Sequence, residues 1–191
     1  RVVLATNHLA LRDVPRALST LGVRDTIVVA AAHLRRWWGL SRPRIAVAAL
    51  NPHASDGGVY GDEEARLITP AIRAARRSGV DVVGPVPADA LFSELGPSSD
   101  AVVAMYHDQG LIPVKQAGGV HEAVNLTLGL PFVRTSPDHG TAYEIAGTGR
   151  ADPRSMAAAL RLAVRLAGLS KTSRGRAGGR GTPRDSDRVF G

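Results

Sequence analysis

The sequence predicts an α/β fold, a parallel β-sheet held between layers of helices as an α/β/α sandwich, and three observations predict it. Four short apolar runs are continuous instead of alternating, the pattern of strands buried on both faces. Segments with helical periodicity and their own start and stop signals lie between those runs. Strands that alternate with helices assemble into parallel sheets. The chain has 191 residues, 44% of them apolar, which suffices for one core of ordinary size.

The elements follow in order. "VVLAT" (2–6) is the first strand. "TIVVAAAH" (26–33) resembles a second, but it runs without a breaker into "LRRWWGL", where Ile27, Ala31, Leu34 and Trp38 keep helical spacing. Two parallel strands also need a crossover between them. Residues 24–38 are therefore read as a helix, and His33 as a surface or packing residue on it. "IAVAAL" (45–50), "VDVVGPV" (80–86) and "AVVAMY" (101–106) are the other three strands. "EEARLITPAIRAARRSG" reads as a helix with Asp62 as N-cap, two glutamates in its first turn, arginines in its last and Gly79 as terminator. "DPRSMAAALRLAVRLAGL" starts on Asp152 as cap with Pro153 at the first helical position. Its apolar stripe is Met156, Ala159, Leu160, Ala163 and Val164. Residues 1–169 form the α/β region, and residues 170–191, rich in Gly, Ser and Arg, read as a disordered and dispensable basic tail.

Composition excludes several functions. The net charge of +7 invites a nucleic-acid reading, but residues 170–191 hold six basic residues against two aspartates, +4, and leave only +3 for the other 169. The body is therefore not expected to bind nucleic acid, and the tail reads as solvated. No run approaches the roughly 18 apolar residues that cross a bilayer, and no signal peptide opens the chain. Cysteine is absent, which removes disulfides and thiolate metal sites and makes a cytoplasmic location the default. The chain opens on Arg1 and an apolar run, without Met, and so reads as shorter than the natural gene product.

Three histidines occupy equivalent positions. His8 follows "VVLATN", His53 follows "IAVAALNP" and His107 follows "AVVAMY". In an open parallel sheet, residues just past the carboxyl ends of strands emerge on one edge, where ligands bind. Imidazoles delivered there can converge on one divalent ion at about 2.1 Å, within a protomer or across a dimer. Neutral nitrogen ligands with open positions suit zinc, cobalt or a similar ion that polarises a substrate oxygen.

The motifs "NHLALRDV", "LNPHASDGGVYGDEE", "GPVPADALF", "AMYHDQGLIPVK" and "VNLTLGLPFVRTSPDHGTAYEIAG", in that order, resemble the 4-hydroxythreonine-4-phosphate dehydrogenase family of pyridoxal phosphate biosynthesis. The resemblance covers about residues 1–169 and corresponds to the later half of that family. The earlier half, with a "GHTE"-type motif that helps hold substrate, has no counterpart here. The resemblance implies an isocitrate/isopropylmalate dehydrogenase-like fold lacking its N-terminal part, and a homodimer with its site between protomers.

It further implies that His8, His53 and His107 bind zinc, cobalt or magnesium, and that Lys115, Asn125 and Arg134 bind a phosphorylated substrate. A phosphate needs fixed donors, and Lys115 and Arg134 offer a point charge and a planar fork. Asn125 would orient a hydroxyl or carboxylate. Asp89, Asp108 and Lys115 are the candidates for proton handling; Asp89 and Asp108 could instead support the metal ligands, and Asp108 could simply order its own loop. "DHGTAYEIAGTGRADP" (138–153) resembles the cofactor loop of decarboxylating dehydrogenases with this fold. There His139, Gly140, Thr141 and Ala142 would lie against a dinucleotide, NAD or NADP. Glu144 would accept from the adenosine ribose and so favour NAD.

Two departures bear on the substrate. "GGVHEAVN" (118–125) places His121 and Glu122 where the family has a different loop, and "HASDGG" replaces a more usual Gly-Glu pair. His121 reads as a loop histidine. The expected reaction is oxidation of 4-phosphohydroxy-L-threonine to a 3-oxo acid that decarboxylates to 3-amino-2-oxopropyl phosphate. The alternatives are a dehydrogenase of 4-phosphoerythronate or of a cis-diol, and a truncated, non-catalytic metal- or nucleotide-binding remnant.

Overall fold

A computed structural model of the chain describes residues 1–93, 98–118 and 122–172. Its main sheet has four strands, β1 (Val2–Leu4), β2 (Arg44–Ala48), β3 (Asp81–Val86) and β4 (Ala101–Ala104), in the order β1-β4-β2-β3. Every neighbouring pair is parallel, with Val2 opposite Val102, Ile45 opposite Ala101 and Arg44 opposite Asp81. The four strands are the four apolar runs, shortened at their ends. β1 tapers instead of stopping, because Ala5 and Thr6 still donate to the carbonyls of Ala104 and Met105 at 2.8 and 3.2 Å.

Why the runs are continuous is visible in the packing. Ile45, Val47, Ala101, Val103 and Met105 face one core, whereas Ala46, Ala48, Val102 and Ala104 face the opposite side. Alternate residues of each strand thus enter different layers, so neither parity can be polar. On the first side lie the short α1 (Val14–Ala17), α2 (Thr20–Trp38) and α3 (Thr69–Arg77), which bury Val14, Val23, Ile27, Ala31, Leu34, Ile72 and Ala75. On the other lie the short α4 (Ala88–Leu91) and α5 (His107–Gly118), contributing Leu91 and Val114. The α/β/α sandwich is the observed architecture.

The helix read at 24–38 begins four residues earlier, because Ser19 caps it by accepting from the Gly22 amide at 3.0 Å. His33 is a packing residue. Its Nδ1 lies 2.8 Å from the Val29 carbonyl, its Nε2 accepts from the Gly129 amide at 3.3 Å, and its ring stacks edge-on to Trp37 at 4.3 Å. A second, antiparallel sheet of β5 (Val124–Leu126) and β6 (Thr135–Pro137) was not anticipated, since three-residue strands carry too little pattern to read. α6 (Arg154–Thr172) packs against it, burying Ala159, Leu162 and Leu166 with Trp37 and Val124.

Three sequence readings need correction. Of the stripe Met156, Ala159, Leu160, Ala163 and Val164, only Ala159 is fully buried, at 2%, whereas Met156, Leu160 and Val164 are 50%, 60% and 74% exposed. α6 carries apolar residues on two faces, and the face holding Leu162 and Leu166 is the one that meets Trp37. Asp62 does not cap the helix after it, because its carboxylate pairs with Arg66 at 3.3 Å, and that helix opens with a π-helical stretch (Glu64–Ile68). Asp152, by contrast, does cap α6, accepting from the Arg154 amide at 3.0 Å. α6 also continues to Thr172, so the tail read at 170–191 starts no earlier than 173; residues 173–191 lie outside the described ones. Among the described residues no single helix is long and apolar enough to cross a membrane.

Candidate metal and substrate site

The strand order makes the three strands that precede the histidines consecutive in the sheet. β4 lies between β1 and β2, so the strands that precede His8, His107 and His53 are adjacent, and all three chains leave the sheet at the same edge. His8 and His107 come together, with ring centroids 5.5 Å apart and planes tilted by 40°. Two imidazoles sharing a tetrahedral ion through bonds of about 2.1 Å place their centroids roughly 5 Å apart, so this pair fits a common divalent ion. His107 opens α5, and its Nδ1 lies 2.7 Å from the Asp108 carboxylate. That contact leaves Nε2 for a ligand and orients the ring, as carboxylate partners of metal-bound histidines do.

His53 stands apart. It lies in the turn Pro52–Gly58, where His53, Ala54, Ser55 and Asp56 all have positive φ, and its ring packs 6.1 Å from Tyr60. Non-glycine residues held in this region cost about 1–3 kcal/mol each. Among the described residues no group of three His, Cys, Asp or Glu side chains is placed to hold a metal. The chain therefore brings two of the three histidines together.

The entry to the His53 turn is anchored by Glu64, which is 3% exposed. One of its oxygens accepts from the Leu50 and Asn51 amides at 2.8 and 2.7 Å, and the other from the Asn51 side chain at 2.9 Å. Burial pushes this carboxyl up, but the hydrogen bonds from Asn51 and Leu50 outweigh it and hold the group below its ordinary value of 4.5. A carboxylate lowered on folding contributes stability above its unfolded pKa and loses it as pH falls through the folded one. Acidification from neutrality should thus leave the latch closed until pH is below 4.5. The amide shifts of Leu50 and Asn51 in NMR should titrate with a midpoint under 4.5; a midpoint above it would contradict this account.

The other candidates lie on α4, α5, the second sheet and the 138–153 loop. Lys115, on α5, lies 3.8 Å from Asp138 at the head of the 138–153 loop, which ties a candidate phosphate ligand to the candidate cofactor segment. Asn125 sits on β5 opposite Ser136, and Arg134 Nη1 donates to Thr127 Oγ1 at 2.8 Å. Asn125 also lines a cavity of about 430 Å³ with Asn7, Leu4, Leu34 and Trp38, alongside the open edge of β1. In the 138–153 loop, the His139 Nδ1 lies 2.8 Å from the Gly140 carbonyl, and a side-chain carbon at Gly140 would meet nothing within 4 Å. Ala142 has φ 49°, and Thr141 and Glu144 are exposed. Asp89 is exposed in the first turn of α4 and makes no contact that joins it to the histidines. His121 lies outside the described residues; Glu122 is exposed.

Sequence reasoning missed Glu64, Gln109 and Asp138. Each stood beside a residue it had singled out, but nothing in a sequence distinguishes a carboxylate in a helix's first turn from one that reaches across to another loop.

Residues 1–163 match the family described as pyridoxal phosphate biosynthetic protein PdxA. The chain belongs to the PdxA family. A 4-hydroxythreonine-4-phosphate dehydrogenase of Desulfosudis oleivorans is 56% identical over 166 residues, covering 86% of this chain and 49% of that protein. One from Geobacter metallireducens is 52% identical over 184 residues, covering 96% and 52%. Among solved structures, the Klebsiella pneumoniae 4-hydroxythreonine-4-phosphate dehydrogenase superposes with a TM-score of 0.80 at 49% identity, covering 87% of this chain and 50% of that one. A terephthalate 1,2-cis-dihydrodiol dehydrogenase from Burkholderia xenovorans gives 0.70 at 36%, covering 86% and 52%. The chain spans about half the length of the curated relatives it matches. Its family members are dehydrogenases by name, and the α/β fold it was expected to have is the one it shares with them.

Proposed function

We propose that this chain carries the metal-, substrate- and cofactor-binding part of a divalent-metal-dependent, NAD(P)-linked dehydrogenase acting on 4-phosphohydroxy-L-threonine. The product would be a 3-oxo acid that loses carbon dioxide to give 3-amino-2-oxopropyl phosphate. The observation that carries the reading is the pairing of His8 and His107, ring centroids 5.5 Å apart, just past the adjacent strands β1 and β4, the second of which also pairs with the strand that leads to His53. Zinc, cobalt or magnesium held there would polarise the substrate alcohol and favour the charge that develops on its oxygen. His8 and His107 would hold the ion from one protomer. His53 would complete the set by rearrangement of its strained turn or from a second copy of the chain, as in a homodimer.

The remaining residues position and exclude. Lys115 and Arg134 would take the substrate phosphate, and Asn125 would orient a substrate hydroxyl or carboxylate at the cavity wall. Asp108 holds the His107 ring. Asp89 and Lys115 are the candidates for proton transfer. His139, Gly140, Thr141 and Ala142 would lie along the dinucleotide, where Gly140 leaves room for close approach, and Glu144 would accept from its ribose, favouring NAD over NADP.

A second reading, oxidation of a cis-diol, is favoured by the likeness to the dihydrodiol dehydrogenase. It is the weaker one, since identity there is 36% against 49% for the hydroxythreonine phosphate enzyme. Calorimetry with 4-phosphohydroxy-L-threonine, with and without zinc, separates the two. Zinc-dependent binding of the phosphorylated amino acid and none of a cis-diol is expected; the reverse preference, or no binding of either, would contradict the proposal. NADH formation by the 191-residue chain is expected to be at least about a hundredfold slower than by a full-length relative, because misplacing reactants by about 1 Å already costs that much.

A further inference from the structure

We propose that Gln109 is a positioning residue that couples the three histidine-bearing strand ends into one unit before any metal arrives. The proposal rests on the assignment of His8, His53 and His107 to one metal site. The hydrogen bonds run without interruption across the sheet edge. On the β1 side, Thr6 Oγ1 and the Thr6 amide both donate to the Met105 carbonyl, at 2.7 and 3.2 Å, two residues from His8 and two from His107. The Met105 amide in turn donates to Gln109 Oε1 at 2.7 Å. Gln109 Nε2 donates to the Ala49 carbonyl at 2.6 Å, just past β2. From there Glu64 takes over, accepting from the Leu50 and Asn51 amides ahead of His53.

Among the described residues no other hydrogen bond duplicates the link that Gln109 makes. β2 and β4 pair through Val47 and Val103, and beyond that point their main chains are no longer registered with each other. The side chain spans the gap with one acceptor and one donor, a task its amide can perform and a carboxylate or an aliphatic chain cannot. Met105 is held at its carbonyl by Thr6 and at its amide by Gln109, so the position of His107 depends on both. Partners outside the ligand set typically change metal affinity 10–100-fold when removed, which sets the scale of the effect.

The test uses the 191-residue chain and its Gln109→Met and Gln109→Glu variants, with Thr6→Val as a second break in the same run. In the metal-free chain, Gln109→Met should speed amide exchange at Met105 and at Leu50, Asn51 and His53 at least about tenfold, with exchange in α3 unchanged. Gln109→Glu keeps the acceptor and should restore protection at Met105 but not at Leu50, Asn51 and His53. In cobalt-loaded protein, Gln109→Met should weaken binding by about 10–100-fold and shift the visible ligand-field bands, with the melting temperature nearly unchanged. Thr6→Val should alter exchange at Met105 in the same direction. Unchanged exchange at Leu50, Asn51 and His53 in Gln109→Met would overturn the coupling, whatever the cobalt result. If the unsubstituted chain binds no cobalt, the metal assignment fails by itself, and the exchange data still decide on Gln109.

Discussion

Gly84→Ala is expected to lower the stability of the chain by at least about 3 kcal/mol and its melting temperature by roughly 6–12 °C. Two independent terms add. Gly84 has φ 130°, a backbone conformation that an L side chain adopts only under strain. An added Cβ would also stand 2.6 Å from the Val47 carbonyl oxygen and 3.2 Å from the Val47 side chain. The first obstacle is main chain of a central strand and cannot swing away. The reason for the close approach is a register shift: Ala46 pairs with Val83, but Ala48 pairs with Val86, so β3 fits one extra residue at Gly84-Pro85. Thermal unfolding by circular dichroism measures the effect, and a fall of less than about 2 °C would show that β3 can move aside.

This bulge marks the limit of what the sequence discloses. The four strands were legible because both parities of each run are apolar, and α2 was legible because Ile27, Ala31 and Leu34 repeat with its period. The extra residue at Gly84 was not, since "VDVVGPV" looks like one uninterrupted strand. The face chosen by α6 was not legible either. Met156, Leu160 and Val164 make as regular a stripe as Ala159, Leu162 and Leu166, and only Trp37 and Val124 decide between them. The site divides in the same way. The edge at which the histidines emerge follows from parallel strands alone, but their adjacency follows from the order β1-β4-β2, which no local pattern encodes. Glu64 and Gln109 were invisible because the partners that tie them to another strand end are 13 to 60 positions away along the chain.

His107→Ala should abolish divalent-metal binding, weakening it by more than about a hundredfold, since even partners outside the ligand set cost 10–100-fold. The same loss is expected for His8→Ala, because the two rings, already 5.5 Å apart, would form the fixed half of the proposed site. His53→Ala should remove the third ligand, and its effect should depend on protein concentration if that ligand comes from a second copy. Asp108→Ala should be milder, within about 10–100-fold, because it frees the His107 ring without removing it. Zinc titration by calorimetry measures all four, and wild-type affinity in either His8→Ala or His107→Ala would exclude that residue as a ligand.

Whether three strand ends deliver His8, His53 and His107 to one ion is decided by a crystal grown with zinc. The account predicts one anomalous peak per chain with ring nitrogens of His8, His107 and a His53, from the same or a second copy, at about 2.1 Å. A peak elsewhere, or ring nitrogens of the three histidines separated by far more than about 4–5 Å in every assembly, would contradict it.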